Sequence, residues 1–155
     1  MRKYLVVATK DELNLPWARS FSELETIVTG VGGTNVIRAL KGLPQDSQIY
    51  NVGYCGSQMY PVGTVLWVNH CRLWHPNVTF QERTFELAES SSGITCYTAG
   101  DFILNGEELP PDSVVDMELA YIAAFNFARV ASVKYVSDNL NLKQYEITIN
   151  HGKRK

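Results

Sequence analysis

The sequence predicts an α/β domain with a largely parallel sheet, and three observations carry that prediction. Short apolar or β-branched runs recur along the chain. Several of them lead into glycine-rich turns. Helical periodicity then follows, and strand–turn–helix units of this kind build layered α/β folds.

The elements follow in chain order. Residues 4–8 form a continuous apolar run, the mark of a strand buried on both faces. Residues 26–29 are β-branched and end in Gly30-Val31-Gly32-Gly33, a strand entering a tight turn. Thr34 is the expected N-cap of a short helix through Val36, Ile37 and Leu40, which Gly42 and Pro44 end. Residues 48–52 read as the next strand, followed by a second glycine turn, Gly53-Tyr54-Cys55-Gly56. Residues 64–68 and 94–97 read as further strands. Apolar residues then recur at Met117, Ala120, Tyr121, Ala124, Phe125, Ala128 and Ala131, which predicts a helix over 117–131. Asp116 and Glu118 suit the positive end of its dipole. Residues 132–136 predict a strand, and the tail beyond Leu140 is ambiguous, with Tyr145, Ile147 and Ile149 alternating.

Composition sets the outer limits. The chain has 155 residues, 45% of them hydrophobic and 19% charged, which fits one globular domain spanning 1–155 and excludes a disordered chain. No apolar run approaches the ~20 residues of a membrane-spanning helix, so no membrane partner is expected. Fourteen basic against sixteen acidic residues leave a net charge of −2, which argues against nucleic acid as a partner. The basic tip Lys153-Arg154-Lys155 reads as a solvated terminus. The first apolar run is too short for a signal-peptide core. Cys55, Cys71 and Cys96 are odd in number and form no CxxC pair, so a reduced, cytoplasmic protein is expected. His70 and His75 lack helical metal-ligand spacing and His151 lies in the tail, so neither metal nor cofactor is expected.

In parallel sheets ligands sit beyond the carboxyl ends of the strands. Those ends should bring together Thr9-Lys10-Asp11-Glu12, the two glycine turns, Asp116-Met117-Glu118 and Ser137-Asp138. Carboxylates facing one cleft are the raw material of general acid–base work on a glycosidic-type bond. Each signal alone is weak, because an acid after a strand more often caps a helix or sits in a solvated turn. Neither glycine turn matches the phosphate-cradling GxxxxGK[ST], and GxGxxG and GxSxG are absent.

In order, the turns resemble a family. Ala8-Thr-Lys-Asp-Glu12-Leu13, Thr29-Gly-Val-Gly32, Asn51-Val-Gly-Tyr-Cys-Gly56, Val62-Gly-Thr-Val65, Gly100-Asp-Phe-Ile103, Val115-Asp-Met-Glu118 and Val136-Ser-Asp138 are similar to successive motifs of the purine nucleoside phosphorylase and nucleosidase superfamily. The nearest likeness is to 5′-methylthioadenosine/S-adenosylhomocysteine nucleosidases. The resemblance implies a three-layer αβα sandwich around a mixed, largely parallel sheet, in shortened form. Residues 16–25 and 80–94 are abbreviated by comparison. Asp116 stands where glutamate is common, Lys134 where arginine is usual, and Tyr54 where a small hydroxyl residue is usual, crowding the nucleophile's position.

The resemblance also implies roles. Asp138 would protonate N7 of the departing purine, and Glu12 would activate water. Glu118 would accept hydrogen bonds from the ribose 2′ and 3′ hydroxyls, with Met117 against the sugar. Phe102 would stack on the base and Ile103 would contact its edge, while Tyr54, Cys55 and Gly56 flank the nucleophile and Ser137 adjoins the acid. The set is chemically coherent. Breaking an N-ribosidic bond builds positive charge on the sugar and negative charge on the purine, so an acid at the base and carboxylates near the sugar both assist. The expected activity is hydrolysis of an adenine nucleoside, such as methylthioadenosine or S-adenosylhomocysteine, by a homodimer or larger homo-oligomer. Phosphorolysis is the alternative reaction, and a non-catalytic nucleoside-binding or scaffold protein is the alternative class.

Overall fold

The computed structural model describes residues 2–74, 84–88, 92–100 and 109–140. Phe102, Ile103, His75, His151 and the tail beyond Leu140 lie outside the described residues. Nine strands are assigned among those described: β1 (Lys3–Val7), β2 (Glu25–Val28), β3 (Gln48–Gly56), β4 (Val65–Trp67), β5 (His70–Leu73), β6 (Phe85–Glu86), β7 (Thr95–Thr98), β8 (Val114–Asp116) and β9 (Arg129–Asp138). Two α-helices accompany them, α1 (Gly33–Leu40) and α2 (Leu119–Ala123). Two short 3-10 turns, Lys10–Asn14 and Arg19–Phe21, follow β1.

The strands form one mixed sheet in the order β2-β1-β3-β8-β7-β5-β6, with β9 on β3 and β4 on β9. β1, β2, β3 and β9 run parallel, as do β5, β7 and β8. Antiparallel pairing enters where β8 meets the end of β3, where β4 lies on β9, and where β6 lies on β5. The α/β class and the mixed, largely parallel sheet are therefore as expected.

Alternation along the strands divides the core. Tyr4, Val6, Ile49, Cys55, Val130 and Val136 face one side, where Val36 and Leu40 of α1 and Leu119, Ala120 and Ile122 of α2 cover them. Leu5, Val7 and Val52 face the other side, beneath Leu15, Ala18 and Phe21 of the 3-10 segment. Tyr54 and Tyr135 pack on that second side, edge to face with ring centroids 6.1 Å apart.

Several boundaries differ from expectation for physical reasons. The second glycine turn is strand: β3 runs through Gly53 to Gly56, because β9 pairs with it over that whole length. The helix expected over 117–131 closes at Ala123, and Arg129 already opens β9. Asn126 turns the chain with φ +56°, and the Ala128 N–H donates to the Gln45 carbonyl. The helical spacing was therefore composite, with α2 supplying its first part and the inward side of β9 its last. Ala124 and Ala128, expected on the buried face, are exposed. Gly32, at φ +91°, caps α1 in place of Thr34, which is exposed inside the helix. Ile37 also points outward, at 49% exposure.

Candidate active site

The carboxyl ends of β1, β3 and β9 lie together because these strands are parallel and adjacent. Glu12 belongs to the 3-10 turn directly after β1, and its side chain folds back over the sheet. Its Oε1 accepts the N–H groups of Ala8 (2.7 Å) and Thr9 (3.1 Å), and its Oε2 accepts that of Tyr54 (2.8 Å). The carboxyl group is buried, and burial raises its pKa above the ordinary value against the Lys134 charge and the three N–H groups.

Gly53 makes that placement possible. A β-carbon there would stand 2.8 Å from Glu12 Oε2 and 3.2 Å from Lys134 Nζ. Lys134 is the register partner of Gly53 on β9, so its chain crosses the bare strand to reach the acids. Its Nζ lies 2.9 Å from Asp116 Oδ2, inside the protein. Burial alone would lower the Lys134 pKa, but Asp116, with lesser help from Glu118 and Glu12, holds it above the ordinary lysine value. Asp116 is pushed up by burial and pulled down further by Lys134, Thr98 and Leu119, ending below the ordinary carboxylate value.

Asp116 also organises the start of α2. Its Oδ2 accepts the Leu119 N–H at 2.8 Å, and its Oδ1 accepts the Thr98 hydroxyl at 2.6 Å. Thr98 Oγ1 in turn accepts the Ala120 N–H at 2.9 Å. Glu118, two residues after Asp116, accepts the Gly32 N–H on its Oε2 at 2.8 Å and so ties α2 to the cap of α1. Burial and then the Asp116 charge push the Glu118 carboxyl up to about 8, outweighing Lys134 and the Gly32 N–H.

Asp138 ends β9 and is buried. The Ser137 hydroxyl oxygen lies 2.6 Å from its Oδ1 and 3.3 Å from the Cys55 carbonyl. Its Oδ2 accepts the Leu140 N–H at 2.9 Å. A β-carbon on Gly56 would come within 3.0 Å of that same oxygen, so the second glycine of β3 clears space for the second acid. Cys55 lies between these glycines, with its thiol raised above the ordinary value by burial.

The structure thus gathers Glu12, Gly53, Cys55, Gly56, Asp116, Glu118, Lys134, Ser137 and Asp138 at one end of the sheet, with Met117 half-buried beside them. Tyr54 reaches Glu12 through its backbone N–H alone. Its ring turns to the opposite face against Tyr135, away from where it was expected to crowd a nucleophile. Sequence reasoning missed Thr98 and gave Gly32 only a turn. It also named Asp116 and Lys134 separately, without pairing them. A glycine inside a strand pattern was the available signal for a close approach at Gly53.

No family model matches the chain, and no curated protein matches it. Solved structures do. An MTA/SAH nucleosidase of Streptococcus pneumoniae, in complex with 8-aminoadenine, superposes with a TM-score of 0.71 at 18% identity, covering 99% of this chain and 95% of that one. An MTAN of Chlamydia trachomatis gives 0.70 at 16% identity, covering 98% and 93%. The futalosine hydrolase of Helicobacter pylori gives 0.72 at 14% identity, covering 98% and 92%. At these identities the likeness is one of fold, and it runs along nearly the whole of each chain. The chain has the nucleoside phosphorylase and nucleosidase fold that its succession of turns resembles.

Proposed function

We propose that this protein hydrolyses the N-ribosidic bond of a purine nucleoside, releasing the free base and the sugar. One observation carries the proposal: three buried acids, Glu12, Glu118 and Asp138, stand at strand ends on the sheet edge where such folds bind ligands. The fold is that of enzymes named as nucleosidases and hydrolases.

Each acid has a task that its surroundings suit. Asp138 donates a proton to N7 of the leaving purine. Ser137 has one hydroxyl proton and two acceptors, Asp138 Oδ1 and the Cys55 carbonyl. A proton carried by Asp138 satisfies both contacts and leaves the acid ready to give it up. Glu12, raised by burial, takes a proton from water as the water attacks C1′. Glu118 holds the ribose hydroxyls and, once ionised, places negative charge beside the developing oxocarbenium ion. Met117 packs on the sugar, the Tyr54 backbone with Cys55 and Gly56 flanks the nucleophile's side, and Phe102 and Ile103 hold the base. The substrate we favour is an adenine nucleoside of the methylthioadenosine or S-adenosylhomocysteine type.

Water suits this site better than phosphate. The cation described within it, Lys134, is already paired with Asp116 at 2.9 Å, which leaves its charge engaged rather than offered to an anion. Exposed Val28, Val31 and Ile37 on β2, the turn after it and α1 support the proposed homodimer. The three free cysteines support the proposed cytoplasmic location. No described helix is long and apolar enough to cross a membrane.

The test is purine release from methylthioadenosine, S-adenosylhomocysteine, adenosine and inosine, followed by chromatography with and without phosphate. Release without phosphate supports hydrolysis. Strict dependence on phosphate with a ribose-1-phosphate product overturns it in favour of phosphorolysis, and binding without turnover overturns it in favour of a binding protein.

A further inference from the structure

We infer that Asp116 is a positioning residue that sets both the place and the charge environment of Glu118. The inference rests on the nucleosidase reading for its catalytic consequence, but its structural basis is independent of that reading.

Asp116 is the node of a closed set of bonds. One carboxylate oxygen takes the Leu119 N–H and the Lys134 ammonium, and the other takes the Thr98 hydroxyl. Thr98 then accepts from Ala120, so two successive N–H groups of α2 are held by β7 and β8. Only Met117 separates Asp116 from Glu118, so fixing Asp116 and Leu119 fixes the short arc that carries Glu118. The Glu118 carboxyl then meets Gly32 at the cap of α1. Placement therefore passes from Thr98 through Asp116 to Glu118.

The charge environment follows from the same arrangement. Glu118 is faced by Asp116 from β8, Lys134 from β9 and Glu12 from the 3-10 turn after β1, with the Gly32 N–H from α1. Lys134 is committed to Asp116 at 2.9 Å, and its attraction for Glu118 is outweighed by burial and the Asp116 charge. Asp116 thus acts on Glu118 twice, through its own repulsion and by engaging the cation that would otherwise attract Glu118. Both departures from the family pattern, aspartate at 116 and lysine at 134, are partners in this one ion pair.

Asp116→Asn, Asp116→Glu and Thr98→Val separate the two effects. In protein without nucleoside, carboxyl-carbon NMR reads the titration of Glu118, assigned by its loss in Glu118→Gln. Asp116→Asn should move that titration down by about one pH unit or more. Asp116→Glu, which keeps the charge, should stay close to wild type. Thr98→Val should leave the titration in place but raise KM for methylthioadenosine several-fold with a smaller change in kcat. If Asp116→Asn does not fold, the Thr98→Val KM effect decides the positioning role of Asp116 in its place. An unmoved Glu118 titration in folded Asp116→Asn overturns it, and so does a Thr98→Val protein with wild-type KM. A wild-type protein that cleaves no nucleoside defeats the nucleosidase reading, while the NMR titration still decides the role of Asp116.

Discussion

Lys134 Nζ and Asp116 Oδ2 stand 2.9 Å apart with both side chains 1% exposed, so each charge depends on the other. Removing one partner leaves a buried charge without compensation, which typically costs about 3–5 kcal/mol. Lys134→Met should therefore lower the unfolding free energy by about that amount in urea titrations at neutral pH. Removing both charges, as Lys134→Met with Asp116→Leu, should recover part of the loss, because no lone charge is left inside. A double variant less stable than the single one would show that the hydrogen bonds of Asp116 to Thr98 and Leu119 outweigh the ion pair.

Glu118 gives stability an unusual pH dependence. Its carboxyl titrates at about 8 in the folded chain against an ordinary 4.5, so between those values the folded state binds the extra proton. Stability contributed by this group is full below about 4.5 and is lost as pH rises toward about 8. Glu12, also raised, acts in the same sense. Glu118→Gln should flatten the fall in melting temperature between pH 5 and 8 relative to wild type. Equal slopes in the two proteins would place the Glu118 titration elsewhere.

Much of this site was legible before the fold. Glu12, Glu118 and Asp138 follow or end strands, and parallel strands bring such positions to one edge. Both positive-φ glycines of the first turn, Gly30 and Gly32, behave as that turn requires. What was not legible depends on pairing between distant strands. Gly53 reads as a turn residue until β9 is laid beside β3 and Lys134 comes opposite it. Thr98 carries no local signal, because its partners Asp116 and Ala120 are a strand and a helix away. The spacing from Met117 to Ala131 looks like one helix because short apolar residues suit both a buried helix and a buried strand, and only the Asn126 turn separates them.

Gly53 predicts a tight steric limit. Gly53→Ala would set a methyl group 2.8 Å from Glu12 Oε2, and that oxygen is held by the Tyr54 N–H. Lys134 Nζ, at 3.2 Å, is equally constrained by Asp116. Overpacking of this kind costs about 1–3 kcal/mol. The variant should fold with stability reduced by about that amount and should lose far more activity than stability, because the displaced group is the proposed base. Chemical denaturation and the rate of purine release, measured on the same preparation, check both parts.

Glu12 and Asp138 should fail differently. Glu12→Gln keeps the shape but replaces one carboxylate oxygen with an amide that cannot accept all three N–H groups of Ala8, Thr9 and Tyr54. It should therefore lose both stability and turnover. Asp138→Asn mimics the protonated acid, since its amide can donate to the Ser137 oxygen while its carbonyl accepts the Leu140 N–H, so it should keep its stability and lose turnover. General acid–base groups typically contribute about 10²–10⁴-fold, so each variant should lower kcat within that range. The distinguishing measurement is the leaving group. A purine analogue whose base departs without protonation should restore turnover to Asp138→Asn and leave Glu12→Gln slow, since water still lacks its base. Equal rescue of both variants would mean that the two acids do not divide the work between leaving group and nucleophile.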